Sequence, residues 1–91
     1  MKPLAVIASL YLWNISRRGC DEWICIGEIE HISRSRRLFQ ERCDAENVEV
    51  RMFFGRFEVL ARHFDAERAL RILREVSYLA RGVYPYDSSV L

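Results

Sequence analysis

The chain is organised around residues 65–82, which read DAERALRILREVSYLARG. Apolar side chains recur there at the three- and four-residue spacing of an α-helix, and charged side chains fall on the opposite side. Asp65 suits the N-cap position, while Gly82 and Pro85 suit the end of a helix. We therefore predict an amphipathic helix whose core-facing side chains are Ala66, Ala69, Leu70, Ile72, Leu73, Val76, Leu79 and Ala80.

The preceding segment, residues 47–64, fits either a helical stripe or a β-hairpin. A helix would carry Gly55 in its interior, at a cost of about 1 kcal/mol. A two-residue turn at Gly55-Arg56 suits a type II′ hairpin instead. We therefore predict a hairpin with four cross-strand pairs: Phe54 with Phe57, Met52 with Val59, Val50 with Ala61, and Glu49 with Arg62.

The first half of the chain also fits a hairpin followed by a helix. Residues 4–13, LAVIASLYLW, are apolar on both alternating faces, which fits a doubly covered strand or a buried helix. The loop-like residues 16–21 and the alternating residues 23–31 favour a strand, and so a first hairpin. A short helix should follow, capped by Ser33 or Ser35 and ending near Ala45.

The predicted order is therefore ββαββα. It describes an α+β fold with an antiparallel sheet and both helices on one face. The 91 residues suffice for a single domain, residues 1–91, in which residues 83–91 form a C-terminal tail. Val83 and Tyr84 could form a short strand or extended segment within this tail.

Composition describes a folded chain, with 51% hydrophobic and 30% charged residues and a net charge of +1. A net charge this small produces no strong overall electrostatic potential that would indicate binding to a nucleic acid or a membrane. Lys2 is the only lysine among the 14 basic residues. An arginine-rich surface is typical of a GC-rich genome or a thermophile, which we favour, and also of phosphate recognition.

The cysteines Cys20, Cys25 and Cys43 have no metal-binding spacing, even with the two histidines, so we expect no metal. We expect free, buried thiols in an intracellular chain, and the alternative is one disulfide bond. Residues 4–13 are too short to span a bilayer. We therefore expect a cytoplasmic protein that needs no membrane.

No phosphate-binding, nucleophile or metalloprotease motif is present. We interpret His31 and His63 as structural histidines. Glu28 and Glu30 alternate onto one face of a strand, where neighbouring arginines would pair with them. We therefore expect no catalytic activity and no cofactor.

Residues 23–80 resemble a known family in element order and hydrophobic pattern. A hairpin with a central glycine, an acidic cap and a helix of the type ERALRILREV are similar to the smallest, dimer-forming subunit of the KEOPS tRNA-modification complex. The order also resembles half of a LAGLIDADG homing endonuclease. That family's motif helix, with its metal-binding acidic residue, is missing, so nuclease activity is not implied.

A cluster of arginines marks the candidate nucleic-acid site. Arg34, Arg36 and Arg37 crowd a helix N-terminus, where the helix dipole disfavours cations. A neighbouring carboxylate would offset them, and so would a bound phosphate. On the second hypothesis, replacing all three with alanine should weaken nucleic-acid binding without loss of stability. The further candidates are Arg17, Arg18 and Arg56.

The outer face of the predicted sheet is the candidate interface. Phe53 and Leu60 point away from the helix-facing side chains, and an exposed apolar patch usually marks a partner surface. We therefore expect a homodimer or a small heteromer. The overall expectation is a small accessory or assembly subunit that self-associates and contacts RNA or DNA. The alternative is a pure protein–protein interaction module.

Overall fold

The computed structural model describes residues 22–87. Within them the chain forms a four-stranded sheet and two α-helices, and a single 3-10 turn at His63–Asp65 leads into the second helix. In chain order, the elements are β1 (Trp23–Ile29), α1 (Ser33–Ala45), β2 (Val50–Met52), β3 (Glu58–Arg62), α2 (Ala66–Leu79) and β4 (Val83–Pro85).

The sheet has the order β2-β3-β1-β4, and each neighbouring pair is antiparallel. The α+β class and the antiparallel sheet are therefore confirmed. For the described residues, the predicted order of strand, helix, hairpin and helix is found, and a fourth strand is added after the second helix. The described elements thus form the split βαββαβ arrangement of ferredoxin-like folds. The predicted first strand, residues 4–13, lies outside the described residues. Its expected partner β1 pairs with β3 on one side and, over its last three residues, with β4 on the other.

The tail residues Val83–Pro85 become an edge strand because Gly27 lets them approach β1. A Cβ atom at Gly27 would lie 2.6 Å from the carbonyl oxygen of Tyr84 and 2.6 Å from Cδ2 of Leu73. A side chain at this position would therefore collide with β4 and with α2. The close contact joins residues far apart in the chain, so no local pattern predicts it.

Both helices cover one face of the sheet, as predicted. Alternating side chains of β3, such as Val59 and Ala61, are buried against them. Phe39 and Cys43 supply the contribution of α1 and are also completely buried. The rest of the core comprises Ile24, Ile26, Ile29, Val48, Ala66, Ala69, Leu70, Ile72, Leu73, Val76 and Val83.

Helix α2 confirms the predicted amphipathic helix but ends two residues earlier than the pattern suggests. Leu79 is 54% exposed, and the chain leaves the helix at Ala80. Gly82, with φ of 72°, then turns the chain into β4. Asp65 occupies the N-cap position, yet its carboxylate pairs with Arg68 at 3.2 Å and does not cap the backbone.

The hairpin of β2 and β3 has the predicted register. Val50 lies opposite Ala61, and the side chains of Glu49 and Arg62 pair at 3.3 Å. The predicted turn at Gly55-Arg56 is wrong by one residue. The turn closes through a hydrogen bond from the amide of Arg56 to the carbonyl of Phe53, so its centre is Phe54-Gly55, and Gly55 has φ of 82°. Phe54 and Phe57 therefore lie in a loop and not on the covered strand face.

Helix α1 has the predicted extent but neither predicted cap. Ile32 occupies the N-cap position, and no side chain caps the helix. Ser33 is the first helical residue. The buried hydroxyl of Ser35 donates a hydrogen bond to the carbonyl of Arg81, 2.7 Å away. Ser35 thereby ties α1 to the segment that follows α2.

Cys25 and Cys43 are free and buried, as expected for reduced thiols. They lie on opposite faces of the sheet, since Cys25 pairs with Leu60 while Cys43 belongs to the helix-covered core. Burial raises the pKa of both thiols, that of Cys43 to about 12. The third cysteine, Cys20, lies outside the described residues.

Candidate nucleic-acid interface

The candidate interface lies where three segments meet at one end of the sheet. These segments are the β1–α1 connection, the first turn of α1 and the β2–β3 loop. The amide of Ile29 at the end of β1 donates to the carbonyl of Phe57 in the loop, at 2.8 Å. Residues 30–37 and 53–57 are thereby held side by side.

Arg36 joins all three segments. Its Nε donates to the carbonyl of Glu30 at 3.0 Å, and one terminal nitrogen donates to the carbonyls of Ile29 at 2.8 Å and Arg56 at 2.7 Å. Partial burial lowers the pKa of this guanidinium. The structure gives Arg36 a structural role, so the expectation that its removal leaves stability intact no longer has a physical basis.

Arg34 and Arg37 differ from Arg36 because both are exposed. They are three residues apart and therefore neighbours on the outer side of α1. The first turn contains no acidic residue, and neither arginine forms an ion pair with any residue between 22 and 87. Both guanidinium groups are therefore available to an anion.

The other predicted arginines are Arg56, Arg17 and Arg18, and the structure describes only the first of them. Arg56 is exposed in the β2–β3 loop, but its Nε lies 3.0 Å from the carboxylate of Glu58. The side chain of Arg56 is 65% exposed and that of Glu58 only 18%, so the guanidinium keeps a face that is accessible to a second anion. Arg17 and Arg18 lie outside the described residues. The arginines brought together are therefore Arg36 and Arg56, with Arg34 and Arg37 on the adjoining turn.

Glu30, considered above as a local counter-charge, has another partner. Its carboxylate accepts a hydrogen bond from the hydroxyl of Tyr84 on β4. This hydrogen bond raises the pKa of Tyr84. The side chain of Glu30 is thus engaged across the sheet.

Three aromatic side chains belong to the same segments as these arginines, and we call His31, Phe54 and Phe57 the aromatic cluster. The ring centroid of His31 lies 5.1 Å from that of Phe57 and 6.3 Å from that of Phe54, with tilted planes. Phe54 is 102% exposed, Phe57 44% and Phe53 40%. Exposed phenylalanines at a turn have no evident role in the core.

Sequence reasoning missed this cluster because it assigned Phe54 and Phe57 to the covered face of the hairpin. The available signal was the segment FFGRF, residues 53–57. Three phenylalanines around a glycine exceed what one alternating strand can bury, so at least one had to remain at the turn. His31 carried no such signal, because its neighbours in space come from another segment.

The predicted interface residues Phe53 and Leu60 differ in exposure. Leu60 does point away from the helices, but it is only 8% exposed. Leu60 therefore presents little surface to a partner. On the same sheet face, the guanidinium groups of Arg51 and Arg62 lie 4.1 and 4.8 Å from the ring of Trp23. Such contacts are typical cation–π pairs.

The opposite end of α1 borders an acidic groove of about 440 Å³. The groove is lined by Asp44, Asn47, Val48, Glu49, Phe64 and Asp65. Asp44 is the only one of these residues that belongs to α1, and Arg42 in the same last turn has the charge that the helix dipole favours there. The arginines of the first turn oppose the dipole and weaken that end of the helix.

Comparison with protein-family models, with curated proteins and with solved structures found no match to this chain. In residues 22–87, no group of three or more His, Cys, Asp or Glu side chains is arranged to hold a metal ion. Among the helices of the same residues, none has the length and apolar character needed to cross a membrane.

Proposed function

We propose that this chain is a small, non-catalytic accessory subunit that self-associates and contacts RNA or DNA phosphates through Arg34, Arg37 and Arg56. The observation that carries the proposal is the pair of exposed arginines on a turn without acidic residues. Unpaired guanidinium groups bind phosphate oxygens through two parallel hydrogen bonds.

The structural role of Arg36 supports this proposal indirectly. Its three hydrogen bonds to backbone carbonyls fix the loop that carries Arg56 against the turn that carries Arg34 and Arg37. A surface that is ordered before binding loses less conformational entropy when it binds. Arg36 therefore acts as a positioning residue and not as a phosphate ligand.

RNA is the first ligand to test. The described order of strand, helix, hairpin and long helix is the order in which the sequence resembles the dimer-forming KEOPS subunit, whose complex modifies tRNA. This likeness is one of element order, and it selects the probe without assigning a biological process.

The alternative proposal is a pure protein–protein interaction module. The exposed side chains of Phe54 and Phe57, both close to His31, favour it, since exposed apolar rings are typical of interaction surfaces. Sedimentation velocity at micromolar concentration tests self-association. A single species of 10.8 kDa would contradict it.

A filter-binding titration with a structured RNA and a DNA duplex at low salt tests phosphate binding. The double variant R34A/R37A should bind at least about fivefold more weakly than the wild type. The matched control is R71A/R74A, which removes the same charge at the same three-residue spacing from α2. It should change binding less than about twofold, since only local cations lose phosphate contacts. If the wild type binds neither the RNA nor the duplex, the nucleic-acid function is refuted, and the protein–protein interaction module is the function that stands.

A further inference from the structure

The aromatic cluster adds a feature that phosphate binding alone does not use. Phe54 occupies the tip of a turn, and its side chain is entirely exposed. The turn itself depends on Gly55, which has a positive φ, so the backbone does not require an aromatic residue at position 54. An exposed ring at this point contributes little to folding and is free to contact a ligand.

The backbone of the loop that carries the rings is fixed before any ligand arrives. It is held by the hydrogen bonds from Ile29 to Phe57 and from Arg36 to Arg56. The ring centroid of His31 lies 5.1 Å from that of Phe57 and 6.3 Å from that of Phe54. A loop whose backbone is already ordered loses less freedom on binding, so the cluster is a platform for a flat partner.

The charges around the platform indicate the class of that partner. Arg34 and Arg37 adjoin it without ion-pair partners within the described residues, and Arg56 belongs to the same loop. Flat rings beside cations match a chain that alternates planar bases with phosphates. A duplex presents its phosphates but keeps its base faces stacked internally, so it cannot use the rings.

We infer that the ligand of this surface is a single-stranded nucleic acid, whose unpaired bases stack on the aromatic cluster at Phe54 while its phosphates contact Arg34 and Arg37. This inference rests on the proposed function and adds the substrate class. Base stacking is sequence-tolerant because every base has a π-face, so little preference among base sequences is expected.

The test compares three labelled probes by fluorescence anisotropy at low salt: a 12-nucleotide single strand, an abasic strand of the same length and charge, and the matching 12-base-pair duplex. The wild type should bind the single strand about tenfold more tightly than the abasic strand. F54A should remove this difference and leave binding to the abasic strand unchanged. F54W should retain the difference, because tryptophan also stacks.

The matched control is Y78A, which removes an aromatic side chain that is 86% exposed on α2, outside the cluster. It should leave binding to all three probes unchanged. Equal affinity for the single strand and the abasic strand would overturn this inference while the proposed phosphate binding stands. No binding to any probe would overturn both. A change of oligomeric state in F54A would also overturn it, since the cluster would then be a protein interface.

Discussion

The guanidinium of Arg36 donates a hydrogen bond to the carbonyl oxygen of Arg56, 2.7 Å away, and so links the first turn of α1 to the β2–β3 loop. Two further carbonyl acceptors, at Ile29 and Glu30, join the end of β1 to the same side chain. The helix dipole disfavours a cation at this position, but the carbonyl dipoles of Ile29, Glu30 and Arg56 stabilise the guanidinium of Arg36. This contact orders the surface that we propose binds phosphates.

Replacing Arg36 with alanine should lower the free energy of unfolding by about 2–3 kcal/mol. Hydrogen bonds to charged groups contribute about 1.5–3 kcal/mol each, and partial hydration of the freed carbonyls limits the total. R36K should recover less than half of the loss, because a lysine ammonium cannot reach the acceptors in the geometry of a guanidinium fork. Urea unfolding monitored by circular dichroism measures these changes.

The control for Arg36 is R37A, which removes the same charge from the same turn. It should change stability by no more than about 0.5 kcal/mol, as is usual for surface substitutions. Equal stabilities of R36A and R37A would contradict the structural role of Arg36.

Replacing Gly27 with alanine should destabilise the fold by at least about 2 kcal/mol. The added Cβ would lie 2.6 Å from the Tyr84 carbonyl oxygen, and backbone atoms cannot move aside as a flexible side chain can. Chemical denaturation measures the loss. Amide hydrogen exchange in β4 should increase more than in β3, because β4 is the strand displaced.

G55A is the comparison for Gly27, because a Cβ there meets nothing within 4 Å. Its cost comes from the φ of 82° alone and should be about 1–2 kcal/mol. A G27A variant as stable as the wild type would show that β4 does not pack on β1 as described.

Stability should decrease as the pH rises from about 9 towards 12, in part because of Cys43. Burial raises the pKa of this thiol from 9.0 to about 12, and the nearby charges of Asp44 and Glu46 act in the same direction. The folded state therefore holds the proton more tightly than the unfolded state. The contribution is fully present below pH 9 and is lost as the unfolded thiol ionises.

The variant C43A isolates this effect, because burial also raises the pKa values of Cys25 and Tyr86. The difference in unfolding free energy between the wild type and C43A should be constant from pH 6 to 8 and should shrink above pH 9. A difference that stays constant to pH 10.5 would contradict the raised pKa.

The salt dependence of binding should separate phosphate contacts from stacking. Each phosphate contact with a single strand adds about 0.7 to the slope of log affinity against log salt concentration. R34A/R37A should therefore reduce the slope by about 1.4, while F54A should reduce affinity with almost no change in slope. Titrations at 50, 100 and 200 mM salt measure both. Parallel salt dependences for the wild type and R34A/R37A would exclude phosphate contacts at these arginines.

Local patterns in the sequence determined the extent of α1, the buried side of α2 and the register of β2 with β3. The pairing of Val50 with Ala61 follows from alternation on either side of Gly55, because strand side chains repeat every two residues. The buried faces of Leu70, Leu73 and Val76 follow in the same way from the helical repeat. These features depend on neighbours along the chain.

Only the tertiary structure decided that β1 lies between β3 and β4, that Arg36 binds carbonyls, and that Phe54 stands exposed beside His31. The pairing of β1, the bond from Arg36 to Arg56 and the approach of His31 to Phe54 join segments distant in the chain. Close packing selects such contacts: Gly27, for example, allows β4 to approach because it has no Cβ. In the sequence, positions 34, 36 and 37 are equivalent, because all three carry arginine. Their roles diverge because backbone acceptors surround one guanidinium and the other two remain exposed.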